Sequence, residues 1–324
     1  MNIWRTGLRV LAALALMGTT TIAAAQTYPS RPIRIIVPMG AGGVSDINAR
    51  LLAQKMSESM HQQVVVENLP SAGGIIASEK VAKAEPDGYT LLLVSNANAI
   101  SASLFKSLPY DTVNDFAPIA TFAFFDLVML VNRDARFRNV TDLINEARAD
   151  PAKFNIGSIS IGTTPHLSAE LFRSMAGITA PVVPFKTTGD MLTAVRGNDI
   201  QVAFDGLPAA MTLAKSGMLR ILALSSDQRF PSLPDVPTVS ESGLPGYHTS
   251  SWAALSAPAK TPRAIIERLN KEVRAAVASP DVRQRFQDLG VTARGSTPEE
   301  FRALLVSEIA KWRGVIETAK IEKR

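Results

Sequence analysis

The sequence predicts an α/β protein of two lobes, each a mainly parallel sheet flanked by helices. Three observations carry this. Short β-branched runs alternate with amphipathic stretches along most of the 324 residues, the pattern of strands connected by helices. The alternation pauses and then restarts near Phe122. In both halves, turns rich in glycine or hydroxyl residues join a strand end to a helix start.

A leader precedes the lobes. Arg5 and Arg9 form a basic start, Val10–Met17 an apolar core, and Ala23-Ala24-Ala25 a small-residue end. This three-part pattern predicts a secretory signal peptide over residues 1–25, cleaved after Ala25. The apolar core falls short of the roughly 20 residues a membrane span needs. No cysteine follows it, so no lipid anchor is expected, and the mature chain is expected in the periplasm.

In the first half, Ile33–Val37 reads as a strand and Pro38–Ser45 as a glycine-rich turn. Asp46–Met60 follows as a helix with Ile47, Leu51, Leu52 and Met56 on one face. Val64–Glu67 is the second strand, Ser71–Gly74 a second glycine-rich turn, and Ile75–Ala84 a helix. Tyr89–Val94 is the third strand, entering a polar loop at Ser95–Asn98.

In the second half, strands are expected at Leu127–Val131, Phe154–Gly157, Val182–Phe185, Ile200–Asp205 and Leu219–Leu224. Helices are expected at Val140–Ala149, His166–Ala176, Thr188–Arg196 and Pro208–Lys215. Arg229–Gly246 is proline-rich and interrupted by apolar residues, which predicts an ordered connector. A strand at Thr249–Ser256 and helices at Pro262–Ala278 and Pro298–Lys320 complete the chain. The expected division is 26–125 plus 250–324 for lobe 1 and 126–249 for lobe 2.

Composition excludes several functions. The net charge of +5 falls to +3 without Arg5 and Arg9, and no Lys/Arg block occurs, so nucleic acid is not an expected partner. With no cysteine there is no thiol nucleophile and no disulfide framework. His61, His166 and His248 have no metal-ligand spacing, and no G-x-S-x-G elbow occurs. Ser158, His166 and Asp205 could be assembled as a triad, but no spacing requires it. The expectation is no enzyme activity, no metal and no cofactor.

The turn Met39–Asp46 carries the strongest chemical argument. Its glycines let backbone N–H groups converge, and the helix start adds unpaired donors and partial positive charge. Together they suit an anion; the plain alternative is an ordinary strand-to-helix turn. The same residues imitate a dinucleotide fingerprint, Gly40-x-Gly42-x-x-Ser45, with Glu67 at the next strand end. Ser45 replaces the third glycine, and a second glycine-rich turn has no role in that motif. Ser158–His166 repeats the strand, polar loop and helix start, facing a sheet end where open α/β sheets bind ligands. Two independent hydroxyl-capped helix starts would look alike. Asp205 reads as a turn former or as a cleft acid, and Trp252 as hinge packing or, second to that, as cleft wall.

Over nearly its whole mature length the chain resembles the substrate-binding proteins of tripartite tricarboxylate transporters, the TctC or Bug type. The segments are YPSRPIRIIVPMGAGGVSDINARLLAQKM, VVVENLPSAGGIIASEKVAKAEPDGYTLLL, LPYDTVNDFAPIA, FNIGS, GTTPHLSAELF, VPFK, IQVAFDGLPAA, GMLRILALSS and RFPSLPDVPTVSESGLPG, in order. The resemblance implies a periplasmic-binding-protein-like, Venus flytrap fold of type II-like layout. It implies capture of a small organic carboxylate for membrane permease subunits, with no catalysis. Carried over residue by residue, the ligand would meet Ala41, Gly42, Gly43, Ser45, Asp46, Ser95 and Asn96 in lobe 1. In lobe 2 it would meet Ser158, Ser160, Thr163, His166 and Asp205. A monomer is expected; a two-component sensor using the same capture is the alternative reading. Departures from the usual pattern fall at Ala41 for proline, Leu69 for arginine, Ser71 and Ser160 for glycine, and Phe185-Lys186-Thr187 within V-P-Y-K-G. They bear on the ligand rather than the fold.

Overall fold

The computed structural model describes residues 28–215 and 217–324. The leader expected at residues 1–25 lies outside the described residues. Ten strands occur among the described residues: β1 (Ile33–Val37), β2 (Val64–Asn68), β3 (Thr90–Ser95), β4 (Phe116–Asn132), β5 (Ile156–Ile159), β6 (Val182–Phe185), β7 (Val202–Gly206), β8 (Leu219–Leu224), β9 (Ser250–Pro258) and β10 (Val291–Ala293). The helices between them are α1 (Val44–Met60), α2 (Ile75–Ala82), α3 (Asn96–Leu104), α4 (Val140–Ala149), α5 (Thr164–Met175), α6 (Thr188–Arg196), α7 (Leu207–Lys215), α8 (Arg263–Ala278), α9 (Pro280–Asp288) and α10 (Pro298–Thr318).

The strand order is β2-β1-β3-β9-β4-β7-β5-β6, with β8 and β10 also pairing β4. Each lobe has a parallel group: β1 pairs β2 and β3, while β5 pairs β6 and β7. The strands joining the groups are antiparallel. β4 is shared: Phe116–Asp126 pairs β9, and Leu127–Asn132 pairs β7 and β8. One strand therefore runs through both sheets.

The long β4 shows why its first half escaped the sequence reading. Phe116–Phe125 has no period-two alternation, and its register shifts between Pro118 and Ala120 and again between Thr121 and Ala123. Proline is tolerated in a strand at such irregularities. Helix α3 was expected to be a polar loop, because asparagine is a weak helix former. A capping box overrides this: the Ser95 side chain accepts from the first turn, and Asn98 Oδ1 accepts from Ser95 N at 3.0 Å. Helix α9 and strand β10 were also not anticipated.

Lobe 1 packs Ile36, Leu92, Val94 and Trp252 against Phe301 and Trp312 of α10. Trp252 meets Phe301 edge-on, with ring centroids 5.7 Å apart; this is the packing role expected of it. Fully burying a side chain such as Phe301 is worth about 1.5–3 kcal/mol, which holds α10 on this lobe. Lobe 2 has a core on each sheet face. One holds Phe172, Phe204 and Tyr247, with the Tyr247 hydroxyl donating to Ser168 O at 2.9 Å. The other holds Val128, Met191, Ala203 and Leu224. The proline-rich connector is anchored to β8: Leu224 N donates to Pro237 O and Val239 N to Leu224 O.

Candidate ligand-binding site

The first turn is braced by an acid. Asp46 is 3% exposed. Its Oδ2 accepts from Gly42 N at 2.8 Å and Arg50 Nε at 3.0 Å, and its Oδ1 from Asn68 Nδ2 at 2.9 Å. Burial would raise the Asp46 carboxyl, but Arg50, the Gly42 amide and Asn68 outweigh it and hold it below its ordinary value. Asp46 thus shapes the turn, and the Gly42 amide is turned onto it. Gly42 has φ +79°, backbone that glycine adopts without cost. Gly43 caps α1, and no side chain caps the helix. The first-turn amides, including that of buried Ser45, are left for an outside acceptor. Ala41 and Gly43 are exposed beside them.

The second glycine-rich turn lies against the first. A Cβ on Gly74 would come within 2.9 Å of Pro38 Cβ, and one on Gly73 within 2.7 Å of Phe105. The Gly73 carbonyl accepts from Ser101 of α3 at 2.9 Å. Just before α3, Ser95 caps the helix. Asn96 donates to Ser250 O at 2.7 Å, while its buried Oδ1 has no partner.

In lobe 2, Thr163 caps α5. Its hydroxyl accepts from His166 N at 3.4 Å and lies 2.8 Å from both Ile159 O and Ser160 O. Ser160 is exposed, and its amide donates to Phe185 O. Ser158 is fully buried with no partner for Oγ, and His166 Nδ1 is likewise unpartnered. Burial lowers the His166 imidazole below its ordinary value; Glu170 opposes this, and Arg324 and Arg173 add to it. The Asp205 carboxyl is pushed up to about 6 by complete burial, partly offset by Gly206 N and Thr188. Gly206 N donates to its Oδ1 at 2.7 Å, and Oδ2 has no partner.

Register separates two of these residues. Gly157 pairs Ala203, and Val128 pairs Asp205. Alternation then puts Ser158 on the Phe204 face and Asp205 on the Val128 face. A Ser158–His166–Asp205 relay is thereby ruled out by geometry. Glu67, the ribose-binding acid of the dinucleotide alternative, is ion-paired with Lys80 and lies 3.9 Å from Arg34. Among the described residues, no His, Cys, Asp and Glu cluster could hold a metal.

The lobes meet beside these loops. Gly162 has φ +83°, and a Cβ there would lie 3.4 Å from Leu104 Cδ2 and 4.0 Å from Gly73 Cα. Thr164 Oγ1 is 3.5 Å from Ser251 Oγ. Leu167 and partly buried Ile161 join the lobe 1 core. The second glycine turn and α3 of lobe 1 therefore meet the 159–164 loop of lobe 2. Sequence reasoning named Gly73 and Gly74 as a turn but not as this meeting point. It also missed Asp126, whose carboxyl burial pushes up to about 6, against Ser226 and with Asp227. An acid interrupting a long apolar run was its only signal.

The family profile described as "Tripartite tricarboxylate transporter family receptor" matches residues 48–321. The chain belongs to this family. A protein encoded in the tcbD-tcbE intergenic region of Pseudomonas sp. (strain P51) is 37% identical over 312 residues, covering 95% of this chain and 93% of the relative. Protein BugT of Bordetella pertussis is 35% identical over 314 residues, covering 95% and 96%. The structure of R. palustris Rpa4515 with adipate matches with TM-score 0.86 at 34% identity, covering 91% of this chain and 99% of the other. MatC from Rhodopseudomonas palustris with bound malate matches with TM-score 0.82 at 29% identity, covering 89% and 100%. The two-lobe, periplasmic-binding-protein-like fold of TctC/Bug solute-binding proteins is thus the fold of this chain. Among the described residues, no helix is long and apolar enough to cross a membrane.

Proposed function

We propose that this TctC-family protein captures a small organic carboxylate in the crevice between its lobes and hands it to permease subunits of a tripartite transporter, without acting on it chemically. The observation that carries this is the uncapped start of α1, whose turn lies against the glycine turn that meets lobe 2. Buried Asn96 Oδ1 and Ser158 Oγ, at a helix start and a strand end near that meeting point, have no protein partner. Unsatisfied buried polar atoms are costly unless something pairs with them. A carboxylate fits the amide end, and the adipate- and malate-bound relatives support the ligand class.

In this reading Ala41, Gly43 and Ser45 amides take the carboxylate. Asp46 and Thr163 hold the two loops in shape, and Ser158, Asn96, His166 and Asp205 meet the rest of the ligand directly or through water. The leader at 1–25 is removed on export, and the mature monomer works in the periplasm.

A thermal-shift screen of ligand-free protein against dicarboxylates, tricarboxylates, aromatic acids and acidic amino acids tests the capture. At least one acid should raise Tm by several degrees, because a ligand bound only by the native state stabilises it. A flat response across the whole set would overturn the proposal. N-terminal sequencing of exported protein should begin at Gln26.

A further inference from the structure

A group of cations lies together on lobe 1, away from the loops where the lobes meet. A depression of about 510 Å³ lies on lobe 1 where the end of α8 meets the α8–α9 junction and β10. Lys271, Arg274, Arg283 and Arg294 all line it, and no carboxylate does. The acids closest in sequence are engaged elsewhere. Glu272 pairs with Arg268 and accepts from Ser59, and Asp281 pairs with Lys55. None of the four lining cations takes part in an ion pair among the described residues. Four like charges around one concavity raise the local positive potential, which favours an anion there.

Two of the four are held in place. The Arg294 guanidinium stacks 3.8 Å over the Phe124 ring centroid. The Arg274 stem packs at Gly295, where a Cβ would come within 3.0 Å of Arg274 Cγ. Guanidinium forks bind planar or tetrahedral oxyanions through paired N–H groups. A carboxylate offers two oxygens and one charge to the Arg274 and Arg283 forks and a lysine, with the Arg294 charge beside them; a phosphate offers more of both. The depression also exceeds the size of a bare ion, and Ala275, Val277 and Ala293 supply apolar wall for an organic substituent.

We propose that this depression is a second anion site that takes a phosphate ester, supplied as a soluble metabolite or as a phospholipid headgroup. It does not depend on the crevice reading. The test compares the wild-type protein with an Arg274→Gln/Arg283→Gln variant and a charge-matched Arg138→Gln/Arg196→Gln control, all checked for unchanged thermal unfolding. Each is titrated with sn-glycerol 3-phosphate, followed by phosphorus NMR. Each is also sedimented with phosphatidylcholine vesicles with and without one-third phosphatidylglycerol.

Saturable glycerol phosphate binding, falling as salt rises and about tenfold weaker only in the Arg274/Arg283 variant, supports a soluble ester. Absence of that binding, with phosphatidylglycerol-dependent sedimentation lost only in the same variant, supports the headgroup. Neither form of binding, or equal loss in the control, overturns the proposal. Stabilisation by crevice carboxylates should be the same in all three proteins, so failure here is distinguishable from failure of the transport reading.

Discussion

Ser225 Oγ lies 2.6 Å from the Thr249 carbonyl oxygen, tying the chain leaving β8 to the chain entering β9. The same oxygen accepts from Leu127 N at 3.0 Å, where β4 changes partners between the two sheets. Backbone bonds Ser225 N to Leu127 O and Thr249 N to Ser225 O complete the clip. One buried hydroxyl thus joins both strands that pass between the lobes.

Replacing it tests the clip. Ser225→Ala leaves the Leu127 amide and Thr249 carbonyl without this partner in a buried setting, which should cost about 1–3 kcal/mol. Urea unfolding measures it. A loss below about 0.5 kcal/mol, the level of an ordinary surface change, would show that water substitutes for the hydroxyl.

Asp205 makes stability depend on pH. Its folded value of about 6 stands above the ordinary 3.8 of an aspartate, so between these values the folded state holds more protons than the unfolded. Its contribution therefore worsens as pH rises from about 4 to about 6, then levels off, by roughly 3 kcal/mol at most. Asp205→Asn removes that slope and keeps an acceptor for Gly206 N. The variant should gain on the wild type at pH 7 relative to pH 4; parallel stability curves would contradict this.

Asp46 has the opposite sign. Its carboxyl is held below its ordinary value, so its stabilisation is present above the unfolded value and lost as pH falls through the folded one. Asp46→Ala should cost about 2–3 kcal/mol, the scale of hydrogen bonds to a charged group. It should also weaken carboxylate capture, because the first turn loses its brace. Denaturation and ligand titration of the same variant separate the two effects.

The glycines differ in what an added methyl would meet. Gly42 has open space around it and only its φ of +79° against substitution, so Gly42→Ala should cost about 1–2 kcal/mol. Gly73→Ala adds clashes with Ser101 Oγ and with Phe105 at 2.7 Å and should cost clearly more. Equal Tm losses for the two would mean that Ser101 and Phe105 both move aside freely.

The parallel groups were legible because they are local. Ile33–Val37 and Val64–Glu67 are short β-branched runs, and Gly40–Gly43 marks the turn between strand and helix. Helix α3 was not legible, since its polar start becomes helical only through the Ser95–Asn98 box and the buried bond from Asn98 to Ser78 at 2.9 Å. Most named site residues do lie at strand ends or helix starts. What the sequence could not assign was the work of their side chains: the Asp46 carboxylate and the Thr163 hydroxyl are occupied by neighbouring groups of the chain.

By itself, then, the sequence determined the alternation of elements, the glycine turns and the family resemblance, all written in windows of a few tens of residues. Only the tertiary structure decided that Ser158 and Asp205 lie on opposite sheet faces, that Gly162 meets Gly73, and that Ser225 clips the crossing strands. The reason is register: side chains alternate along a strand, so a face is set by which distant residue pairs with which. Val128 against Asp205 is such a pairing, and no local pattern encodes it.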